Sequence, residues 1–309
     1  MAGETPSFAT RLGWRLEALA FDVFSGLLRL FPVDTVSAMG GWLLRTLGPL
    51  TGEHRIADLN LRLAFPEMDD AERRRILRGQ WDNLGRTAFE FAIMDRITPE
   101  SGRVEAFGGD RVLELARQGR PIVMFSGHFA NWEAMAAAAA QAGLKLRISY
   151  RRANNPHMDR RIVEGRLQSG IHLFAPKGKE GNRELIAALK RGEILGFLND
   201  QRDNAGVEAP FFGHMVRTAP GPVRLALSND AVLVPVAVKR LEGARFVARA
   251  YEPFELEKTG DRARDIQAGV ARVNAFMEAR IREAPEQWLW AHRRWPVEVY
   301  RKGKKSPHP

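Results

Sequence analysis

The 309-residue chain has no cysteine, which excludes disulfides, thiolate nucleophiles and cysteine-based zinc sites. It has no Gly-x-Ser-x-Gly segment, so a serine-hydrolase elbow is absent. The histidines at 128, 157, 172, 214 and 292 have no ligand spacing, and no metal or cofactor is expected. There is no internal repeat, low-complexity tract or nucleic-acid-binding motif. No small-residue cleavage site follows a clean apolar core, so no cleavable signal peptide is expected. The one apolar stretch long enough to cross a bilayer, Leu12 to Phe31, carries Arg15, Glu17, Asp22 and Arg29. Charges at those depths are costly in hydrocarbon, which argues against a span.

What is present is globular. Hydrophobic residues make up 45% and charged residues 27%, a balance that supports a sizeable core. The 47 Lys and Arg against 37 Asp and Glu leave a net charge of +10. That excess suits nucleic acid, anionic lipid or an acidic carrier protein, and charge alone does not choose among them. On a helical wheel Leu12, Leu16, Leu19, Val23, Leu27 and Leu30 share one face, and Arg11, Arg15, Asp22 and Arg29 form a narrow polar strip. The pattern fits a helix lying in a membrane interface, and fits equally a helix packed on the rest of the protein.

Pro32 ends this helix, a second runs from Asp34 to Leu47, and Asp69 caps a third over residues 70–86. The run Arg73-Arg74-Arg75 reads as solvated surface. Residues 1–100 therefore read as a helical region without catalytic groups. From Gly109 helices and strands alternate, with strands expected at 122–125, 144–149, 171–175, 194–198 and 232–238, and a late edge strand within 245–254. The expected fold is α/β, a mainly parallel sheet flanked by helices over residues 101–300, with a basic tail at 301–309.

The chemistry concentrates in Pro121-Ile-Val-Met-Phe-Ser-Gly-His-Phe-Ala-Asn-Trp-Glu133. It reads as a buried strand, a turn broken by Ser126-Gly127, and a helix capped by Asn131. With His128 in the turn and Glu133 in the first helical turn, the two side chains can meet. A histidine held by a carboxylate is a general base of fixed tautomer. A packing or capping histidine is the plainer alternative. A strand end in an α/β sheet is, however, a usual address for a site.

The order His128-Phe-Ala-Asn-Trp-Glu133 resembles the motif of the bacterial lipid A biosynthesis late acyltransferases. These are relatives of the glycerol-phosphate acyltransferases, which carry His, four residues, Asp. Further segments share the resemblance: Asn60-Leu-Arg-Leu-Ala-Phe-Pro-Glu67, Tyr150-Arg151 with Asn155-Pro156, Arg166, Phe211-Phe212-Gly213, and Pro285-Glu-Gln with His292-Arg-Arg. Arg152 departs from it, because proline is common there in the family. The similarity covers about residues 10 to 296.

The resemblance implies a glycerol-phosphate acyltransferase-like fold and acyl transfer with His128 and Glu133 as a catalytic dyad. It implies an acyl carrier protein thioester as donor, a hydroxyl of a glycolipid lipid A precursor as acceptor, and the cytoplasmic face of the bacterial inner membrane as location. Asn131, Arg151, Arg166, Asp200, Phe211 and Phe212 are the expected substrate-binding residues. Asp200 reads as pairing with Arg166 or Arg151 to build the site wall. Phe211 and Phe212 read as lining an acyl groove, and Trp288, Trp290 and Trp295 suit a lipid–water boundary. Each also reads as ordinary structure, an ion-pair network or core packing. Competing functions are acyl transfer to a lysophospholipid or another glycolipid, hydrolysis, and non-enzymatic membrane or nucleic-acid binding. No nucleic-acid partner is expected, since nothing but the net charge supports one.

Overall fold

The computed structural model describes residues 7–150, 152–171, 173–176 and 179–302. Among these, four helices come first: α1 (Phe8–Leu28), α2 (Val33–Leu47), α3 (Gly52–Ala64) and α4 (Asp70–Glu90). The alternating part follows as β1 (Val104–Phe107), α5 (Gly109–Arg117), β2 (Ile122–Ser126), α6 (Trp132–Gln141), β3 (Leu146–Tyr150), α7 (Pro156–Gln168), β4 (Leu173–Pro176), α8 (Lys179–Lys190) and β5 (Ile194–Leu198). Then come the hairpin β6 (Arg202–Phe211) and β7 (His214–Thr218), α9 (Gly221–Asn229), β8 (Val232–Arg240), β9 (Phe246–Ala250), α10 (Arg262–Glu283) and α11 (Val297–Lys302).

Seven strands form one sheet in the order β1-β9-β8-β2-β5-β3-β4. Every pairing is parallel except β8 with β9. β2 sits at the centre, and all five of its residues are buried, as its unbroken apolar run requires. Its side chains alternate between two cores. Met124 joins Val234, Val112 and Leu144 on the face covered by α5 and α6. Val123 and Phe125 join α9 and α10 residues such as Val223 and Val273 on the other. That second core also contains Leu61, Ile76 and Trp288, so packing runs continuously across residue 100.

Two sequence expectations need correction here. The strand within 245–254 is not an edge: β9 lies between β1 and β8. Its partner β1 is only four residues long, with one buried position, and gives almost no hydrophobic pattern to read. Arg73 is not solvated. It is buried and bonds Asp58 (2.9 Å) and Asp70, which neutralise it from both sides. The tail from residue 303 lies outside the described residues.

The helical region is tightly coupled to the sheet. α2 crosses α4 where two glycines meet, and a Cβ on Gly40 would lie 2.3 Å from the Gly85 carbonyl oxygen. Wholly buried Glu90 on α4 accepts from the Arg240 guanidinium of β8 (2.5 and 3.0 Å) and from Ser37 of α2 (2.6 Å). In α1 part of the polar strip is tied to the protein, while Arg11 and Arg15 are exposed. Asp22 pairs with Arg161 of α7, Glu17 accepts from Asn155 (2.8 Å), and Arg29 bonds Asp95. The leucine face is left in solvent, with Leu16 57%, Leu19 59% and Leu30 77% exposed. The helix thus packs on the protein and presents its leucine face outward. No helix among the described residues is long and apolar enough to cross a membrane.

Candidate active site

The parallel β2–β5 ladder continues one step past both strands. Asn199 N–H donates to the Ser126 carbonyl at 2.8 Å. This sets the residues after each strand side by side, His128 and Asp200, although 72 positions separate them in sequence. One Asp200 oxygen lies 2.7 Å from His128 Nδ1. The other accepts from the His128 backbone N–H and the Trp288 indole N–H, each at 2.8 Å. Burial by itself would raise the pKa of Asp200. The charge of His128, its two hydrogen bonds and the Trp288 bond outweigh that and hold the carboxyl well below its usual range. Asp200 is therefore ionised, and it fixes His128 with Nδ1 toward the carboxylate.

The turn that presents His128 is built under constraint. Gly127 passes so close that a Cβ would lie 2.9 Å from the Phe129 ring and 3.1 Å from Asp200. Ala130 takes a left-handed φ of 43°, a conformation disfavoured for a residue with a Cβ. Its N–H donates to the Gln287 carbonyl (2.7 Å), and its carbonyl accepts from the Thr87 hydroxyl (2.9 Å). Asn131 caps α6 by accepting from Glu133 N–H (3.1 Å) and donates to Glu90 (2.9 Å). The cap was legible in sequence. Wholly buried and bonded on both sides, Asn131 anchors the turn.

Glu133 does not hold the histidine in this structure. Both its oxygens are taken by Arg166 of α7, at 2.6 and 3.0 Å in a bidentate fork. Burial works against the charge on Arg166, but the Glu133 hydrogen bonds and charge prevail and raise its pKa. The expected Asp200–Arg166 pairing is replaced by two separate pairs, because the ladder delivers Asp200 to His128 first. Arg151 lies outside the described residues. Phe211 and Phe212 are buried among Trp288, Trp295 and Phe65. Trp288, Trp290 and Trp295 are likewise interior, at most 2% exposed. A tryptophan-rich string reads alike at a lipid boundary and in a core, and only packing separates the two.

An apolar cavity of about 110 Å³ lies between α6 and the sheet. Trp132, Glu133 and Arg166 line one part, and Ala136, Ala139 and Gly196 are among the small residues that leave its space. The Trp132 ring also meets the His128 ring edge-on at 4.8 Å, joining cavity to base. Among the described residues no three His, Asp or Glu side chains gather as a metal site.

The sequence profile of the bacterial lipid A biosynthesis acyltransferases matches residues 16–296. The chain belongs to that family. Relatives include a lipid A biosynthesis lauroyltransferase of Escherichia coli K12, 29% identical over 250 residues and 78% of each chain. A palmitoleoyltransferase of the same organism is 29% identical over 248 residues, again 78% of each. A lipid A biosynthesis acyltransferase of Haemophilus influenzae is 28% identical over 279 residues, 86% of this chain and 84% of the relative. The protein is an acyltransferase, and its family membership supports acyl transfer onto lipid A. Within this acyltransferase the sequence analysis missed Trp288 as a donor to Asp200. It also missed the Glu90–Arg240 pair behind the turn, whose members give no local sequence signal.

Two outcomes are expected. In double-mutant cycles read by denaturant stability, Glu133→Gln and Arg166→Lys should be coupled by about 0.5–3 kcal/mol. Arg166→Lys with Asp200→Asn should instead be additive, and the reverse result would reject the two-pair arrangement. His292 Nε2 accepts from Arg202 N–H (3.3 Å), so its ring is neutral, and burial lowers its pKa. The unfolded chain then takes up the proton first. Stability from the neutral ring is present above about pH 6.5 and falls as pH drops below it. His292→Gln should flatten that acid slope in thermal melts; an unchanged slope would show that His292 does not cause it.

Proposed function

We propose that this acyltransferase moves a fatty acyl chain from an acyl carrier protein thioester to a hydroxyl of a lipid A precursor, with His128 as general base. The observation that carries the reading is His128 at the sheet's C-terminal lip, its ring fixed by ionised Asp200 and touching a tryptophan that lines an apolar cavity. The His128–Glu133 dyad of the family motif becomes two linked pairs here. Asp200 orients the base and stabilises its imidazolium, while Glu133 holds Arg166 beside it.

His128 takes the acceptor hydroxyl proton as the oxygen attacks the thioester carbon. The tetrahedral oxyanion is stabilised by Arg166 and the α6 N-terminus. The C–S bond then breaks, and the imidazolium returns the proton to the leaving thiolate. The donor's acyl chain occupies the cavity beneath α6, where small residues admit a chain rather than a ring. No protein nucleophile is required, and the thioester is a substrate rather than a cofactor.

The membrane surface is the proposed workplace, on the cytoplasmic face of the inner membrane. Besides the outward leucine face of α1, Trp42, Leu47 and Leu50 are 60%, 46% and 82% exposed. A face of that kind enters the acyl boundary of a bilayer while the net charge of +10 favours anionic headgroups. The site would then stand beside an acceptor that cannot leave the bilayer.

Purified protein with an acyl carrier protein thioester and the phosphorylated, acylated glucosamine disaccharide should form the transfer product. His128→Ala should lower turnover by about 10²–10⁴ while remaining folded. Near-normal turnover in that variant would reject the mechanism, and faster transfer from a coenzyme A thioester would reject the donor. Replacing exposed Leu16 and Leu27 by Glu should weaken co-sedimentation with anionic liposomes by about tenfold or more. Unchanged binding would show that another surface meets the membrane.

A further inference from the structure

A second cavity, of about 370 Å³, lies on the opposite face of the sheet, between β8–β9 and the C-terminal end of α10. Its character differs from that of the apolar cavity. Lys239, Arg249 and Arg280 line it against a single carboxylate, Glu283. In the antiparallel β8–β9 register Lys239 stands opposite Val247 and Arg249 opposite Ala237. The two cations are therefore diagonal neighbours on one face of the sheet. Neither is in a salt bridge among the described residues, and the Arg249 guanidinium lies over the Phe107 ring at 5.1 Å. Arg280 bonds Glu283 (2.7 Å), and its guanidinium stacks over Tyr251 at 4.6 Å. Its Nε–H is buried with no acceptor.

Like charges set side by side in a concave site repel each other, and a buried donor without an acceptor costs stability. An anion bound in the cavity answers the first. Two cationic side chains in excess of the carboxylate match a phosphate monoester, and the guanidinium fork suits phosphate oxygens. Lys239 and Arg249 are exposed, so an anion can reach them from solvent.

The cavity is also wired to the active site. Its lining includes Phe129, which follows His128, and Gln287, which precedes Trp288. Phe129 forms a β-bridge with Trp288, the donor to Asp200. The Gln287 side chain is clamped by both backbone polar groups of Arg240 (2.7 and 3.0 Å). A ligand here would thus sit one residue away in sequence from the catalytic turn.

We propose that this cavity is a binding site for a phosphate monoester group, carried by a lipid headgroup or by a soluble ester. Binding needs no acyl donor, so the proposal is tested apart from acyl transfer and survives or fails independently of it.

The full-length protein is titrated calorimetrically with glycerol phosphate and, separately, with phosphatidic acid in neutral detergent micelles; phosphatidylcholine micelles are the blank. Lys239→Gln, an exposed position, and Arg280→Gln should each weaken binding about tenfold, and added salt should weaken it further. Arg117→Gln, an exposed arginine on α5, should leave it unchanged. Arg280→Lys should recover part of the loss, because charge returns without the fork. Binding of phosphatidic acid alone assigns the site to a lipid phosphate, and binding of both probes assigns it to the phosphate group itself. No binding of either probe, or affinities within twofold of wild type in both Gln variants, would overturn the proposal. Melting temperatures identify a variant that fails to fold, and Lys239→Gln then decides the question.

Discussion

The rest of the site depends on one buried carboxylate. Asp200 receives the His128 ring, the His128 backbone N–H and the Trp288 indole, three contacts within 2.8 Å. An ionised group with 3% exposure is tolerated only when its charge is met this completely. The same contacts that stabilise Asp200 hold a strand end, a turn and the C-terminal segment in register. Removing any one donor would leave charge uncompensated, so the proposed base and local stability share the same atoms.

A second buried pair acts behind the first. Glu90 and Arg240 tie α4 to β8, while Glu90 also receives Asn131 and Ser37. The left-handed Ala130 persists because Thr87 and Gln287 bind its backbone from two sides. Backbone strain of this kind needs surroundings that over-determine it. The N-terminal helices thus support the turn that carries His128. α1 is tied down by Asp22 to Arg161, Arg29 to Asp95 and buried Leu28, while Leu12, Leu16, Leu19, Leu27 and Leu30 remain exposed.

The two cavities divide the central sheet's faces by chemistry. On the α6 side, alanines and Gly196 leave an apolar space next to His128 and Arg166. On the α10 side, three cations surround a polar one that shares backbone with the same turn. Strands β8 and β9 contribute to both linings: Val236 and Ala248 to the first, Ala237 and Lys239 to the second, and Arg249 to both.

The sequence by itself determined the elements and the address of the site. The apolar run 122–125, the break at Ser126-Gly127 and the cap at Asn131 are local signals, and they place His128 at a strand end without any knowledge of its neighbours. The strand at Ile194–Leu198 and the helices around α2, α5 and α10 were legible for the same reason: periodicity and capping act within a few residues. Partners were not legible, because they are set by contacts across 33 to 232 positions. Asp200 meets His128 only through the parallel β2–β5 ladder, and Glu133 meets Arg166 only through the packing of α6 on α7. Asn60 bonds the carbonyls of Trp290 and His292 only once the C-terminal segment closes over α3. Burial was equally beyond reach for Phe211, Phe212 and the tryptophans, since an aromatic string has one sequence whether it faces lipid or core. Tertiary structure decided which carboxylate holds His128, because hydrogen bonds follow distance in space and not spacing along the chain.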